Sequence, residues 1–240
     1  GSRLESRFMS EVTFKRPDGK ECSGYYVEGA GGKNAPGLVV IQEWWGVNDH
    51  IKRVADRYAQ HGFRVLVPDL YRGKVGLDAK EAEHLMTGLN FGDAAGQDVR
   101  GAVQYLKQSS PKVGVTGYCM GGALAILASV FVPEVDATVA WYGFPPLEHV
   151  DASKIKAPIL GHFAIHDGFF KIEQVDQLEQ KLKAAGAKYT FHRYDAGHAF
   201  ASDDAIIHTV GLKKDATAAA QAWQRTLEFF DQHLGAAQPA

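Results

Sequence analysis

Short apolar runs alternate with amphipathic stretches along nearly the whole chain. From Val12 to Val27 the positions alternate and break at Pro17-Asp18-Gly19, which is turn chemistry, so a β-hairpin is predicted. Gly37 to Glu43 is a continuous apolar run, as in a strand buried on both faces. Asn48 is placed to cap a helix reaching His61, with Ile51, Val54, Ala55 and Tyr58 at helical spacing and Gly62 as its stop. Further strands are predicted over Phe63–Pro68, Lys112–Tyr118, Val135–Tyr142, Pro158–His166 and Tyr189–Tyr194. Helices are predicted around Glu81–Leu89, over Asp98–Gln108 and Gly121–Val130, around Val175, Leu178 and Leu182 as far as Gly186, and over Asp215–Leu234. The irregular stretch from Asp69 to Asp93 is suited to covering part of a pocket.

Alternating strands and helices imply right-handed crossovers and a mostly parallel central sheet with helices on both faces. Ligands bind such sheets at the carboxyl ends of the strands. No internal repeat appears, and no dinucleotide or Walker glycine pattern follows a strand, so no cofactor is expected.

Composition narrows the class without changing it. The 240 residues are 45% hydrophobic and 22% charged, which suits one well-cored domain over residues 9–240. A formal net charge of -2 gives no reason to expect nucleic acid or an anionic membrane as partner. No apolar run approaches the roughly 18 residues of a membrane helix. Residues 1–8 read as a cloning remnant before Met9, without the apolar core of a secretory signal. With two cysteines, Cys22 and Cys119, a reducing cytoplasmic setting is expected. The expected assembly is a monomer or small homo-oligomer.

The chemistry centres on Gly117-Tyr-Cys-Met-Gly121, between an apolar run and an Ala/Leu-rich helix. This is the Gly-x-Nuc-x-Gly pattern of a nucleophile elbow, with Cys119 in place of serine. The sharp turn brings the residues two before and two after close together, so both must be small. A helix amino end favours negative charge on the sulfur. By itself the pattern also fits a small buried thiol.

Asp167 and His198 each follow a predicted strand, so with Cys119 they surface on one sheet edge, in the order nucleophile, acid, histidine. A thiol needs a base such as imidazole, and the imidazole needs a carboxylate to orient it. Asp167 also fits an ordinary Asp-Gly turn, and Asp195 is a rival acid that better suits shaping the His198 loop. Glu43, ending the first long strand, reads either as a surface charge or as a second base for the thiol. His162 and His166 have the spacing of helical metal ligands but lie in a strand-like run, so no metal site is expected.

The elbow cysteine, Glu43-x-x-Gly-Val-Asn48, Pro68-Asp-Leu-Tyr71 and Ala196-Gly-His-x-Phe200 together resemble the dienelactone hydrolase family, from about Pro36 to the end. The resemblance implies an α/β-hydrolase fold and a Cys119–His198–Asp167 triad, with Glu43 contacting the resting thiol. It also implies an oxyanion hole from the backbone N–H groups of Trp44 and Met120, each donor worth roughly 3 kcal/mol in the transition state. The chain departs from the family where members that cleave dienelactone carry an arginine four residues after the histidine. Ser202 stands there. Arg72 and Arg100 are the nearest counterparts of a second expected arginine, and neither aligns. With that anion clamp gone, Trp44, Trp45, Phe144, Phe169 and Phe200 suggest an aromatic, neutral pocket, some of them serving only as core.

The expected activity is hydrolysis of small activated esters or lactones, neutral rather than carboxylate-bearing, through an acyl-thioenzyme. Aryl esters and neutral phosphotriesters are an alternative through the same sulfur. A non-catalytic binding protein, or a thiol redox sensor with Cys22 resolving Cys119, is a further alternative.

Overall fold

The computed structural model describes residues 8–235; the reading of residues 1–8 as a cloning remnant falls, but for Phe8, outside them. The hairpin forms as expected from β1 (Phe8–Lys15) and β2 (Glu21–Glu28), paired antiparallel. Strand β2 lies antiparallel to β4 (Arg64–Pro68), and β4 runs parallel to β3 (Gly37–Ile41). From β3 the sheet continues in parallel through β5 (Val113–Tyr118), β6 (Ala137–Trp141), β7 (Ile159–Ala164) and β8 (Tyr189–Tyr194). The spatial order is therefore β1-β2-β4-β3-β5-β6-β7-β8. From β3 the chain crosses one way to β4 and then returns to β5 on the other side. That reversal opens a crevice at the carboxyl ends of β3 and β5, where Glu43 and Cys119 emerge.

The continuous apolar runs have a direct cause: β3, β4, β5, β6 and β7 are buried at every position. Successive side chains point to opposite faces. Leu38 and Val40 pack with Ile51 and Tyr58 of α1 (Asp49–His61) and Phe230 of α7 (Ala216–Leu234). Val39 and Ile41 pack with Val103 of α4 (Arg100–Lys107) and Leu124 of α5 (Met120–Phe131). On the latter face α6 (Ile172–Ala184) sets Val175 and Leu178 against Ile159 and Phe163. This is the α/β-hydrolase fold.

Helix α1 starts and stops where its sequence says: Asn48 Oδ1 accepts from the Ile51 N–H at 3.1 Å, and Gly62 closes it at φ 117°. One boundary differs from expectation. The helix predicted from Asp98 begins at α3 (Phe91–Asp93), capped by Asn90, and runs through a π-helical turn over Ala94–Val99 into α4. Its first turns lack apolar periodicity, because Ala94, Ala95 and Gly96 carry little side chain. Preceding it, α2 spans Ala79–Thr87.

Candidate active site

Cys119 sits between β5 and α5 with φ 60° and ψ -118°, a conformation that strains any residue but glycine. The close packing around it shows why the neighbours are glycines. A Cβ on Gly117 would lie 1.9 Å from the Gly121 carbonyl oxygen, and one on Gly121 would lie 2.4 Å from that of Ile41. A third glycine, which sequence reasoning passed over, is as tightly held: a Cβ on Gly143 would meet the Cys119 carbonyl oxygen at 1.9 Å. The turn is thus pinched between the ends of β3 and β6.

The three residues expected at one edge are brought together. His198 Nε2 lies 3.1 Å from Cys119 Sγ, and its Nδ1 donates to Asp167 Oδ2 at 2.7 Å. The other Asp167 oxygen accepts from the backbone N–H groups of Phe169 and Phe170 at 2.8 and 2.9 Å, so both carboxylate oxygens are fixed. The Phe169 and Phe170 rings flank the imidazole at centroid distances of 5.1 and 5.6 Å, and Tyr142 packs on it at 5.3 Å. Burial pushes His198 toward neutrality. The Cys119 sulfur and the Asp167 hydrogen bond outweigh it and carry the imidazole up to about 10. The surroundings therefore favour the imidazolium form of His198.

Glu43 shares the crevice and is buried, which lifts its carboxyl to about 7; His198 draws it down and Asp204 pushes it up. No hydrogen bond joins it to Cys119: the sulfur faces His198. The Glu43 carboxylate instead has His50 Nε2 at 3.7 Å from its Oε1. Glu43 and the thiol thus share the crevice wall without a hydrogen bond between them.

The site opens into a cavity of about 310 Å³ whose wall includes Glu43, Trp44, Trp45, Cys119, Met120, Phe144, Phe169 and His198. Trp44, just beyond β3, and Met120, which opens α5, line the same cavity as the sulfur. Phe200 and Ser202 do not line it. Phe200 is fully buried against Tyr142 and Tyr194, because the chain turns inward after His198 through Ala199 at φ 62°. Ser202 is buried too, its hydroxyl accepting from the Asp204 N–H. Among the described residues, the lining contains no lysine or arginine. Arg72 pairs with Asp98, and Arg100 with Glu134, so neither faces the crevice. Asp195 bonds to His166 rather than His198, and His162 is held in the core by Tyr194 and Thr226. Both cysteines are free, with Cys22 buried in β2.

Sequence reasoning missed much of the outer wall. Met86 at the end of α2 and Phe91 of α3 cover one side, in keeping with a pocket-covering role for the stretch before Asp93. Ile207, Val210 and Leu212 cover another, on or beside a 3-10 helix over Ala205–Val210. Only the Asp204 cap and Gly211 at φ 76° signalled that helix.

Comparison with known proteins agrees with this geometry. Residues 23–234 match the dienelactone hydrolase family. A protein of Aquifex pyrophilus named usf is 33% identical over 94% of this chain and 100% of its own length. A protein of Escherichia coli strain K12, named provisionally as a carboxymethylenebutenolidase, is 32% identical over 83% of this chain and 78% of its own. A solved dienelactone hydrolase-like promiscuous phosphotriesterase from metagenomic libraries superposes with a TM-score of 0.79. It is 26% identical and is covered over 99% of its length, against 95% of this chain. The extent of these matches, on top of the shared fold, leads to one conclusion: this chain is a hydrolase belonging to the dienelactone hydrolase family.

Proposed function

We propose that the chain hydrolyses small, neutral, activated esters or lactones through a thioester on Cys119. The observation that carries this reading is the Cys119–His198–Asp167 line opening into an aromatic and aliphatic cavity that, among the described residues, is lined by no lysine or arginine. The Cys119 sulfur anion attacks the carbonyl carbon, and the Trp44 and Met120 N–H groups hold the oxyanion. Collapse breaks the bond to the leaving oxygen, which takes the His198 proton. His198, neutral again, then removes a proton from water; the hydroxide releases the acid and restores sulfur and imidazolium. Asp167 holds the imidazole in the tautomer that each step requires. An ionised Glu43 favours the imidazolium through its charge.

A neutral acyl group is favoured because no lysine or arginine among the described residues of the wall would pair with a carboxylate, and an ionised Glu43 in the same wall opposes a second negative charge. The likeness to a promiscuous phosphotriesterase supports a second reading: neutral aryl phosphotriesters reacting at the same sulfur. A substrate panel tests both. Neutral aryl esters should exceed a carboxylate-bearing lactone in kcat/KM by at least about 10²-fold, a difference of roughly 3 kcal/mol. Preference for the anionic lactone would overturn the neutral-substrate reading, and no turnover of a phosphotriester would remove the second.

A further inference from the structure

Outside the triad, one buried ionisable residue lies against Glu43 without an evident task. His50, the second residue of α1, is 6% exposed and places Nε2 3.7 Å from Glu43 Oε1. Among the described residues it is the ion-pair partner of Glu43. We propose that His50 is a positioning residue for Glu43, holding its carboxylate on the α1 side of the crevice and supplying the positive charge that keeps it ionised beside His198.

The surroundings are built for this. Asn48 caps α1 with its Oδ1 and uses its Nδ2 to donate to Asp204 Oδ2 at 3.0 Å. That bond brings the segment after His198 onto the start of α1. Asp204 then bears on both partners, favouring charge on His50 and opposing it on Glu43. The other groups facing the pair are known. Arg53 and Arg57 of α1 oppose a charged His50, and Asp203 favours it. On the far side of Glu43 lie His198 and the hydroxyl of Tyr142, which the charges of Glu43 and Cys119 keep protonated after burial has already done so. Burial lowers His50 and raises Glu43, so it opposes a lone charge on either. Two such groups within charge-pairing distance titrate as a pair. A proton that leaves Glu43 can then reside on His50, leaving carboxylate and imidazolium with no change in the pair's net charge.

The proposal rests on the catalytic reading above, in which ionised Glu43 supports the His198 imidazolium. The test compares pH profiles of kcat/KM on a neutral aryl ester for the parent, Glu43→Gln and His50→Phe. The acid limb should vanish in Glu43→Gln and move upward by about one pH unit in His50→Phe, since an opposite charge this close shifts a carboxylate by that order. A merely structural role would change rate or stability without moving the limb. An unmoved limb in His50→Phe, with the limb lost in Glu43→Gln, overturns the role of His50 alone. A limb that persists in Glu43→Gln overturns the catalytic reading of Glu43 instead. Titration of His50 by NMR in folded parent and Glu43→Gln needs no variant at His50. Its pKa should fall when the carboxylate is removed, and identical titrations would refute the pairing.

Discussion

Cys119 carries a backbone strain on the order of 1 to 3 kcal/mol so that its sulfur stands clear of the turn and meets His198. Asp167 then decides which imidazole nitrogen faces the sulfur. Asp167→Asn should leave the fold intact and lower kcat by about 10²- to 10⁴-fold, because the amide can hold the wrong tautomer. Steady-state kinetics and circular dichroism on the same preparation check this. Glu43 pulls stability and activity in opposite directions. Its carboxyl is raised from 4.5 to about 7, so between those values the folded chain holds a proton that the unfolded chain has lost. Its contribution to stability is therefore greatest below the lower value and is lost as pH rises through about 7. His198, raised from 6.5 to about 10, has the same sign over its own window. Glu43→Gln should accordingly be more stable than the parent at pH 8, by on the order of 1 to 3 kcal/mol in urea unfolding, while losing activity. Lower stability at that pH would contradict the burial account of Glu43.

At the scale of elements, the elbow is a meeting of three backbones rather than a property of one loop. Gly117 and Gly121 announce themselves in the sequence by their spacing about Cys119. Gly143 does not, since its need to be small arises from the Cys119 carbonyl, which local patterning cannot reveal. Gly143→Ala should cost about 3 kcal/mol or more and lower activity with it, which thermal unfolding and kinetics would show together. Asn48 joins two elements. Asn48→Ala should lose about 1 kcal/mol from the α1 cap and also free Asp204, loosening the wall that carries Ile207 and raising KM more than it lowers kcat. Strands and most helices were legible because burial on both sheet faces writes continuous apolar runs, and caps such as Asn48 and Asp215 mark helix starts. The start of the helix at Phe91 was not, because its small residues carry no amphipathic signal.

Across the whole molecule, the topological reversal at β3 and β5 places the sulfur and Glu43 in one crevice, while the loops after β7 and β8 bring acid and base from farther along the chain. That much follows from chain order and the position of each residue after a strand. The pocket was less legible. Whether an aromatic side chain faces a cavity or a core depends on the turn of a loop: Phe169 lines the crevice and Phe200 is buried behind it. In the proposed reaction Cys119 forms a covalent intermediate. Rapid mixing with an activated neutral aryl ester, quenching in acid and intact-mass spectrometry with peptide mapping tests it most directly. An acyl adduct on Cys119 should appear within the first turnover, decay as substrate is exhausted and be absent in Cys119→Ala, which should also be inactive. Full turnover by Cys119→Ala, or an adduct confined to another residue, would contradict it.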